Sequence, residues 1–344
     1  MNPERAAACE RSIAAPLPAT SSSPEKPRRG EIRIADVIKI YGSEANGIRA
    51  VDKCTFDVPA GKITVVVGPS GCGKTTLLNA IAGFHSITSG TIHLDGKVLC
   101  GAGRPKAEPG PDRIVVFQNG ALFPWKTIIE NVAFGPIVQG RLTRRQAFDQ
   151  ARTMLAEAGL RNLESNYPGE ISSGMRRRVE ITRALMNDPK VLLLDEPYRA
   201  LDSLTKSVMH EALLETFDRN QVTIFFITHD LEEAIFLGHR VVIMTTRPCR
   251  PKKVLTVDIP HPRDYSVLTA KRFREYLDET AAAVHEEAQA AALGSAHGPR
   301  AAAARNHFGG NDDGPGDPNA DCGADHYRRQ GARKDDPPKN VPAR

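Results

Sequence analysis

Gly68-Pro69-Ser70-Gly71-Cys72-Gly73-Lys74-Thr75-Thr76 is the stretch from which the rest of the chain can be read. It fits the phosphate-binding pattern G-x-x-x-x-G-K-[ST], with an extra glycine inside it. Three glycines allow a tight turn in which successive amide N–H groups point inward, forming a positively polarised nest for the oxygens of a nucleotide tail. Lys74 then reaches the outer phosphates, and Thr75 offers a hydroxyl to Mg²⁺. The helix that starts there aims the positive end of its dipole at the same anion. The flanks have the required order. Ile63-Thr64-Val65-Val66-Val67 is a β-branched strand run, and Leu77, Leu78, Ile81 and Ala82 share one helical face before the stop at Gly83.

The composition bounds the class. With 344 residues and 40% hydrophobic content, the chain can bury a substantial core in one large domain or two. Its longest apolar runs, such as Val222 to Ile227, are strand-length and far short of the roughly 20 residues that span a bilayer. Membrane contact is therefore expected to be peripheral. The formal charge of +5 is spread along the chain, which gives little support to nucleic acid as a partner. Cysteines at positions 9, 54, 72, 100, 249 and 322 form no CxxC pair, so a reducing, cytosolic compartment is the simplest reading.

Residues 1–30 are rich in Ala, Pro and Ser and read as a disordered extension. Alternating runs from Ile32 to Tyr41 and from Val51 to Val58 read as antiparallel strands leading to the P-loop strand. Tyr41 is either a packed aromatic or a platform for an adenine ring. Gly90 to Gly96 is a further short strand. The apolar run Ile114 to Phe117 then delivers Gln118, whose amide oxygen can ligate Mg²⁺ or make a structural hydrogen bond. Thr143-Arg144-Arg145-Gln146 has the form of a capping box ahead of an amphipathic helix ending at Gly159. Residues from about 120 to 185 read as a helical subdomain inserted into an α/β core.

Ile171-Ser172-Ser173-Gly174-Met175 opens a helix with Met175, Val179, Thr182 and Met186 on one face. Its Ser/Gly start can bind an anion, although a capped helix with a solvated arginine face gives the same pattern. Val191 to Leu194 reads as a buried parallel strand, with Asp195 and Glu196 at its carboxyl end, where α/β sheets bind ligands. Asp195 is suited to hold Mg²⁺, and Glu196 to polarise the water that attacks a γ-phosphate. Ala200-Leu201-Asp202 begins a helix in which Leu204, Val208, Ala212 and Leu213 are expected to face a core. A final buried strand, Val222 to Ile227, is followed by His229, either a structural residue or a bridge to the γ-phosphate. Residues 269–294 read as one helix. Residues 295–344, with His297, His307 and His326, read as a disordered tail.

Taken in order, Tyr41, Gly68 to Thr76, Gln118, Ile171 to Met175, Asp195-Glu196, Asp202 and His229 resemble the nucleotide-binding subunit of ATP-binding cassette (ABC) transporters, over about Ile32 to Pro262. Leu122-Phe123-Pro124-Trp125, Thr246-Arg247-Pro248 and Asp258-Ile259-Pro260 look like the branch importing nitrate, sulfonates or taurine. The resemblance implies a P-loop NTPase core: a mixed sheet flanked by helices, an antiparallel β edge subdomain and an inserted helical subdomain, within an ATPase domain of residues 31–268. It implies ATP and Mg²⁺ as cofactors, with Thr75, Gln118 and Asp195 on the metal, and Glu196 and His229 as catalytic residues. Tyr41, the P-loop, Gln118, Ser172, Ser173, Gly174 and Asp202 would contact nucleotide, the signature residues acting on that of a second ATPase subunit. Permease subunits and, indirectly, a solute-binding protein are the implied partners, on the cytoplasmic face of the membrane. Three positions depart from the family pattern: Ser173 and Arg199, where glycine is usual, and Arg177, where glutamine is common. Ser173 is expected to impair closure between subunits. A soluble cassette ATPase and a weakly hydrolysing regulatory subunit are the competing readings.

Overall fold

The computed structural model describes residues 29–42 and 46–295. The expectations for positions 1–28 and 296–344, including the three tail histidines, lie outside the described residues. Ten strands and seven α-helices follow one another among the described residues. The strands are β1 (Ile32–Tyr41), β2 (Ile48–Val58), β3 (Ile63–Val67), β4 (Ser89–Leu94), β5 (Lys97–Cys100), β6 (Arg113–Val116), β7 (Val191–Asp195), β8 (Thr223–Thr228), β9 (Arg240–Met244) and β10 (Pro251–Thr256). The helices are α1 (Lys74–Ala82), α2 (Ile128–Val138), α3 (Arg144–Glu157), α4 (Ser173–Leu185), α5 (Ser203–Asn220), α6 (Leu231–Leu237) and α7 (Lys271–Ser295).

The central sheet has the order β10-β9-β3-β8-β7-β6 and is parallel except at the β9–β10 edge. Its inner strands read as continuous apolar runs because both faces are covered. Ile63, Val65, Leu192, Leu194, Ile224 and Phe226 pack on one side, with residues of α4 to α7. Their alternates Val66, Leu193, Phe225 and Ile227 pack on the other, with Leu77, Leu78 and Ile81 of α1 and with the second sheet. That second sheet, β2-β1-β4-β5, is antiparallel throughout. Burying each such side chain is worth about 1.5–3 kcal/mol, and the period of two along every strand divides that gain between the two faces.

Between β6 and β7 the chain builds α2, α3 and α4 around a third apolar cluster, which includes Ile128, Val132, Ala147, Ala151 and Leu155. Complete capping boxes start the first two helices, Thr127 with Glu130 and Thr143 with Gln146. Helix α4 belongs to two clusters at once. Val179 and Met186 join the helical cluster, whereas Ile181 and Ala184 join the sheet's.

Four expectations need correction. Val222 to Ile227 is not the final buried strand, because β9 follows and pairs parallel with β3; its short run before Thr245-Thr246-Arg247-Pro248 is too brief to stand out in sequence. The buried stripe of α5 is Met209, His210, Leu213, Leu214 and Phe217, while Leu204 is 76% and Val208 43% exposed. Of the expected stripe Leu213 is buried in the core, whereas Leu204, on the first turn, and Val208 belong to no apolar cluster among the described residues. Met175 is 38% exposed, and the charged Arg177 and Glu180 are buried on α4 instead. Phe117 lies beyond the end of β6 and stacks on Phe84, with ring centroids 5.9 Å apart. No described helix is long and apolar enough to cross a membrane.

Candidate active site

The P-loop joins the carboxyl end of β3 to the start of α1. Gly73 takes φ 126°, and a Cβ there would come within 2.5 Å of the Ala50 carbonyl oxygen and 2.9 Å of Cys249 Cβ, so only glycine fits. Lys74 is buried, and its Nζ donates to the carbonyl oxygens of Gly68 at 2.7 Å and Pro69 at 2.9 Å, spanning the loop. Ser70, Gly71 and Thr75 are exposed at its mouth, while Pro69 and Thr76 are half-buried. Cys72 points down into the core, where a hydrogen bond with the Cys249 thiol, opposed by burial and aided by the Lys74 charge, draws its pKa down to about 6.

Register brings the acidic strand end to the same edge. Asp195 pairs with Ile227, and Val67 with Thr228, so β3, β7 and β8 end level with one another. Thr75 Oγ1 donates to Asp195 Oδ1 at 3.1 Å. Burial pushes the Asp195 carboxyl above its ordinary pKa; the Thr75 hydrogen bond opposes this and the neighbouring Glu196 charge adds to it. Glu196 sits at φ 44°, a left-handed conformation that turns its side chain out of the strand direction. Its Oε2 lies 3.4 Å from His229 Nδ1 and 3.2 Å from Arg199 Nη1. Lys74, Thr75, Asp195, Glu196 and His229 therefore form one cluster at the sheet edge. A buried carboxylate that accepts from a hydroxyl, beside a second carboxylate, is a donor set that suits a hard divalent cation.

Tyr41, at the end of β1, has its hydroxyl 3.4 Å from Thr76 Oγ1 and 3.1 Å from His85 Nδ1. Its ring is 39% exposed, with Lys39 Nζ 4.9 Å from the centroid, so a face remains at the rim of the P-loop helix. Gln118 follows β6, and its carbonyl oxygen accepts from Arg177 Nη2 at 2.8 Å.

The signature residues lie apart from this cluster. Ser172 caps α4, its Oγ accepting from the Met175 N–H at 3.3 Å. Ser173 is the first helical residue and is exposed. Gly174 is buried, and a Cβ there would meet Thr205 Cγ2 at 2.9 Å. Thr205 is in turn bonded to Asp202, the N-cap of α5, whose carboxyl those Thr205 bonds hold below its ordinary pKa. Among the described residues no hydrogen bond or ion pair joins Ser172, Ser173, Gly174 or Asp202 to the P-loop cluster.

Two residues at the site are visible in sequence only as departures from a pattern: Arg199, on Glu196, and Arg177, on the Gln118 segment. A third, Arg247, donates from Nη2 to the Gly71 carbonyl oxygen at 3.0 Å, bracing the loop from outside. Its only sequence signal is membership of Thr246-Arg247-Pro248.

Comparison with known proteins agrees with this geometry. A family profile described as ABC transporter matches residues 51–199. The chain is 40% identical over 254 residues to a nitrate import ATP-binding protein of Synechocystis, covering 72% of this chain and 92% of the relative. It is 42% identical over 245 residues to a taurine import ATP-binding protein of Rhizobium johnstonii, covering 69% and 90%. Among solved structures, it is similar to a dimeric ATP-binding cassette in a post-hydrolysis state bound to ADP and Pi. The TM-score is 0.58 at 26% identity, covering 67% of this chain and all of that one.

Proposed function

The chain belongs to the ABC transporter family, as an ATP-binding ATPase subunit, and on that premise we propose that it drives import of a small anion such as nitrate, a sulfonate or taurine. The names of the relatives support that solute class: beside the nitrate and taurine proteins stand bicarbonate transport and aliphatic sulfonates import ATP-binding proteins, at 40% and 37% identity. The observation that carries the catalytic reading is the cluster at the sheet edge, where Thr75 and Asp195 meet 3.1 Å apart and Glu196 adjoins His229 at 3.4 Å.

In this reading the amides of Gly68 to Thr76 and the Lys74 ammonium bind the phosphate chain, while Tyr41 offers its ring face to the base. Thr75, Asp195 and Gln118 would hold Mg²⁺, which would supply neutralisation of the phosphate charge. Glu196 accepts a hydrogen bond from the attacking water and holds its oxygen in line with the γ-phosphorus. As the new P–O bond forms, the bond to the β–γ bridging oxygen breaks. ADP leaves with that electron pair, and Glu196 takes the water proton and passes it to the product phosphate or solvent. His229 steadies Glu196 and donates toward the γ-phosphate.

Ser172, Ser173, Gly174 and Asp202 stand apart from the cluster because they serve the nucleotide of a second copy, across a two-fold interface. Closure of that dimer moves membrane permease subunits, so the chain works as a peripheral protein on the cytoplasmic face of the membrane, with a solute-binding protein upstream. Purified chain with its permease is expected to hydrolyse ATP faster when the solute-loaded binding protein is added. A complex with no solute-dependent stimulation by any of the four anions would remove the importer reading.

A further inference from the structure

Arg177 and Glu180 lie on α4, three and six residues after Gly174, with side chains only 10% and 5% exposed. Arg177 Nη1 donates to Glu180 Oε2 at 2.6 Å and to the Phe117 carbonyl oxygen at 2.7 Å, and Nη2 donates to the Gln118 carbonyl oxygen at 2.8 Å. The other carboxylate oxygen, Glu180 Oε1, accepts the Ala121 N–H at 2.7 Å. Gly120 takes φ 71°, and a Cβ there would come within 2.9 Å of that same oxygen, so the backbone is wrapped onto the carboxylate. Arg183 Nη1 adds a bond to the Ala121 carbonyl oxygen at 2.8 Å.

A buried ion pair is a poor source of stability, since the cost of removing two charges from water offsets their attraction, and an apolar replacement of similar volume is often neutral. This pair is distinguished by where its remaining bonds go. Three of them reach the backbone of a single segment, Phe117 to Ala121, which carries Gln118. The planar fork of an arginine suits such a bridge, because it presents donors to two successive carbonyls and to a carboxylate at fixed angles, which one ammonium cannot reproduce.

Resting on the reading that Gln118 serves this chain's own nucleotide and Ser172 to Gly174 that of a second copy, we propose that Arg177 and Glu180 are positioning residues that make the Gln118 segment and the start of α4 move as one body. Nucleotide-dependent movement of Gln118 in one half-site is thereby passed to the signature residues of the other.

The test uses the full-length chain and its single tryptophan. Trp125 lies just beyond the tethered segment, 71% exposed, its ring 5.7 Å from that of Phe123, whose backbone is held by Asn131. Its emission reports that segment's response to Mg-ATP. The double variant R177M/E180M removes both charges together and leaves no buried ion unpaired. Its thermal midpoint is expected near that of wild type, and its KM for ATP within threefold. Its kcat is expected to fall at least tenfold, and the Mg-ATP-dependent change in Trp125 emission to disappear. A merely structural pair would leave the emission change and the ratio of kcat to KM alone. If the double variant does not fold, R177K carries the same test, because it keeps the Glu180 ion pair without both carbonyl bonds, and is expected to lose the same response. A folded variant with wild-type kcat and emission change overturns the proposal. Wild-type chain that neither hydrolyses ATP nor responds to it overturns the reading beneath it as well.

Discussion

At the P-loop edge the functional side chains stand at the ends of strands whose every residue is buried, β3, β7 and β8. On α4 polar residues are buried among apolar ones, Arg177, Glu180 and Thr182 lying inside beside Val179 and Ile181. The first region is positioned by hydrophobic registry, which tolerates no slip because a shift of one residue would turn every side chain to the other face. The second is positioned by buried, charged hydrogen bonds to one loop, which are costly to break and so hold loop and helix start together. A fixed edge suits chemistry, and a hydrogen-bonded staple suits a loop and a helix start that must move together.

The sharpest way to break this contrast is at Glu196. If the edge does the chemistry, Glu196→Gln lowers kcat by about 10²–10⁴-fold, the usual share of a general base, while ATP binding measured by equilibrium dialysis stays intact. A comparable loss of nucleotide binding would mean that the residue is a ligand for the phosphate chain rather than for water.

The core beneath the edge comes next. Phe226 is fully buried, so Phe226→Ala is expected to cost about 3–5 kcal/mol in urea unfolding. Leu204, exposed on the first turn of α5, should change stability by less than about 0.5 kcal/mol when truncated. Equal costs would erase the distinction between the packed sheet and the exposed first turn of α5.

The two regions also differ in how far they can be read from sequence alone. Ile63 to Val67, Val191 to Glu196 and Val222 to His229 carry their meaning locally: an apolar run, then a polar residue where the strand ends. The P-loop, Asp195, Glu196 and His229 are therefore legible as one site. The arginine run at 176–178 carries no such signal, because a solvated face and a buried staple have the same composition. Which reading holds depends on whether Phe117 to Ala121 lies over that helix, and only the fold supplies that. The expected stripe of α5 is buried at Leu213 but not at Leu204 and Val208 for a related reason, since those two are apolar yet exposed among the described residues. Strand β9 escapes notice because four buried residues followed by threonines are too few to set a period.

Asp195 tests the cost of holding a carboxylate at the edge. Burial raises its pKa in the folded chain, so between its ordinary value and the raised one the folded state holds more protons than the unfolded state, and stability falls as pH rises through that window. Nucleotide-free Asp195→Asn is expected to be more stable than wild type near neutral pH and to lose that advantage as pH falls from the raised value to about 3.8, the ordinary carboxylate value. The same variant should need more Mg²⁺ for half-maximal activity. Stability that is unchanged at neutral pH would show that Thr75 and Lys74 already compensate the charge.

Ser173 is expected to give the smallest effect, and it bears on the movable region alone. It stands at the first turn of α4 with right-handed backbone and an exposed side chain, lining a cleft with Gln118, Pro197 and Ala200. Nothing among the described residues requires glycine there, unlike Gly174, whose Cβ would strike Thr205. In the two-fold arrangement proposed above, any demand for glycine at 173 comes from the second subunit's nucleotide, approaching across the interface. Ser173→Gly should cost about 0.5–1 kcal/mol of stability through backbone entropy, while raising ATPase turnover of the complex as closure becomes easier. If turnover does not rise in a folded Ser173→Gly protein, the serine hydroxyl is compatible with phosphate at that distance, and α4 tolerates at its first residue what it cannot tolerate at its second.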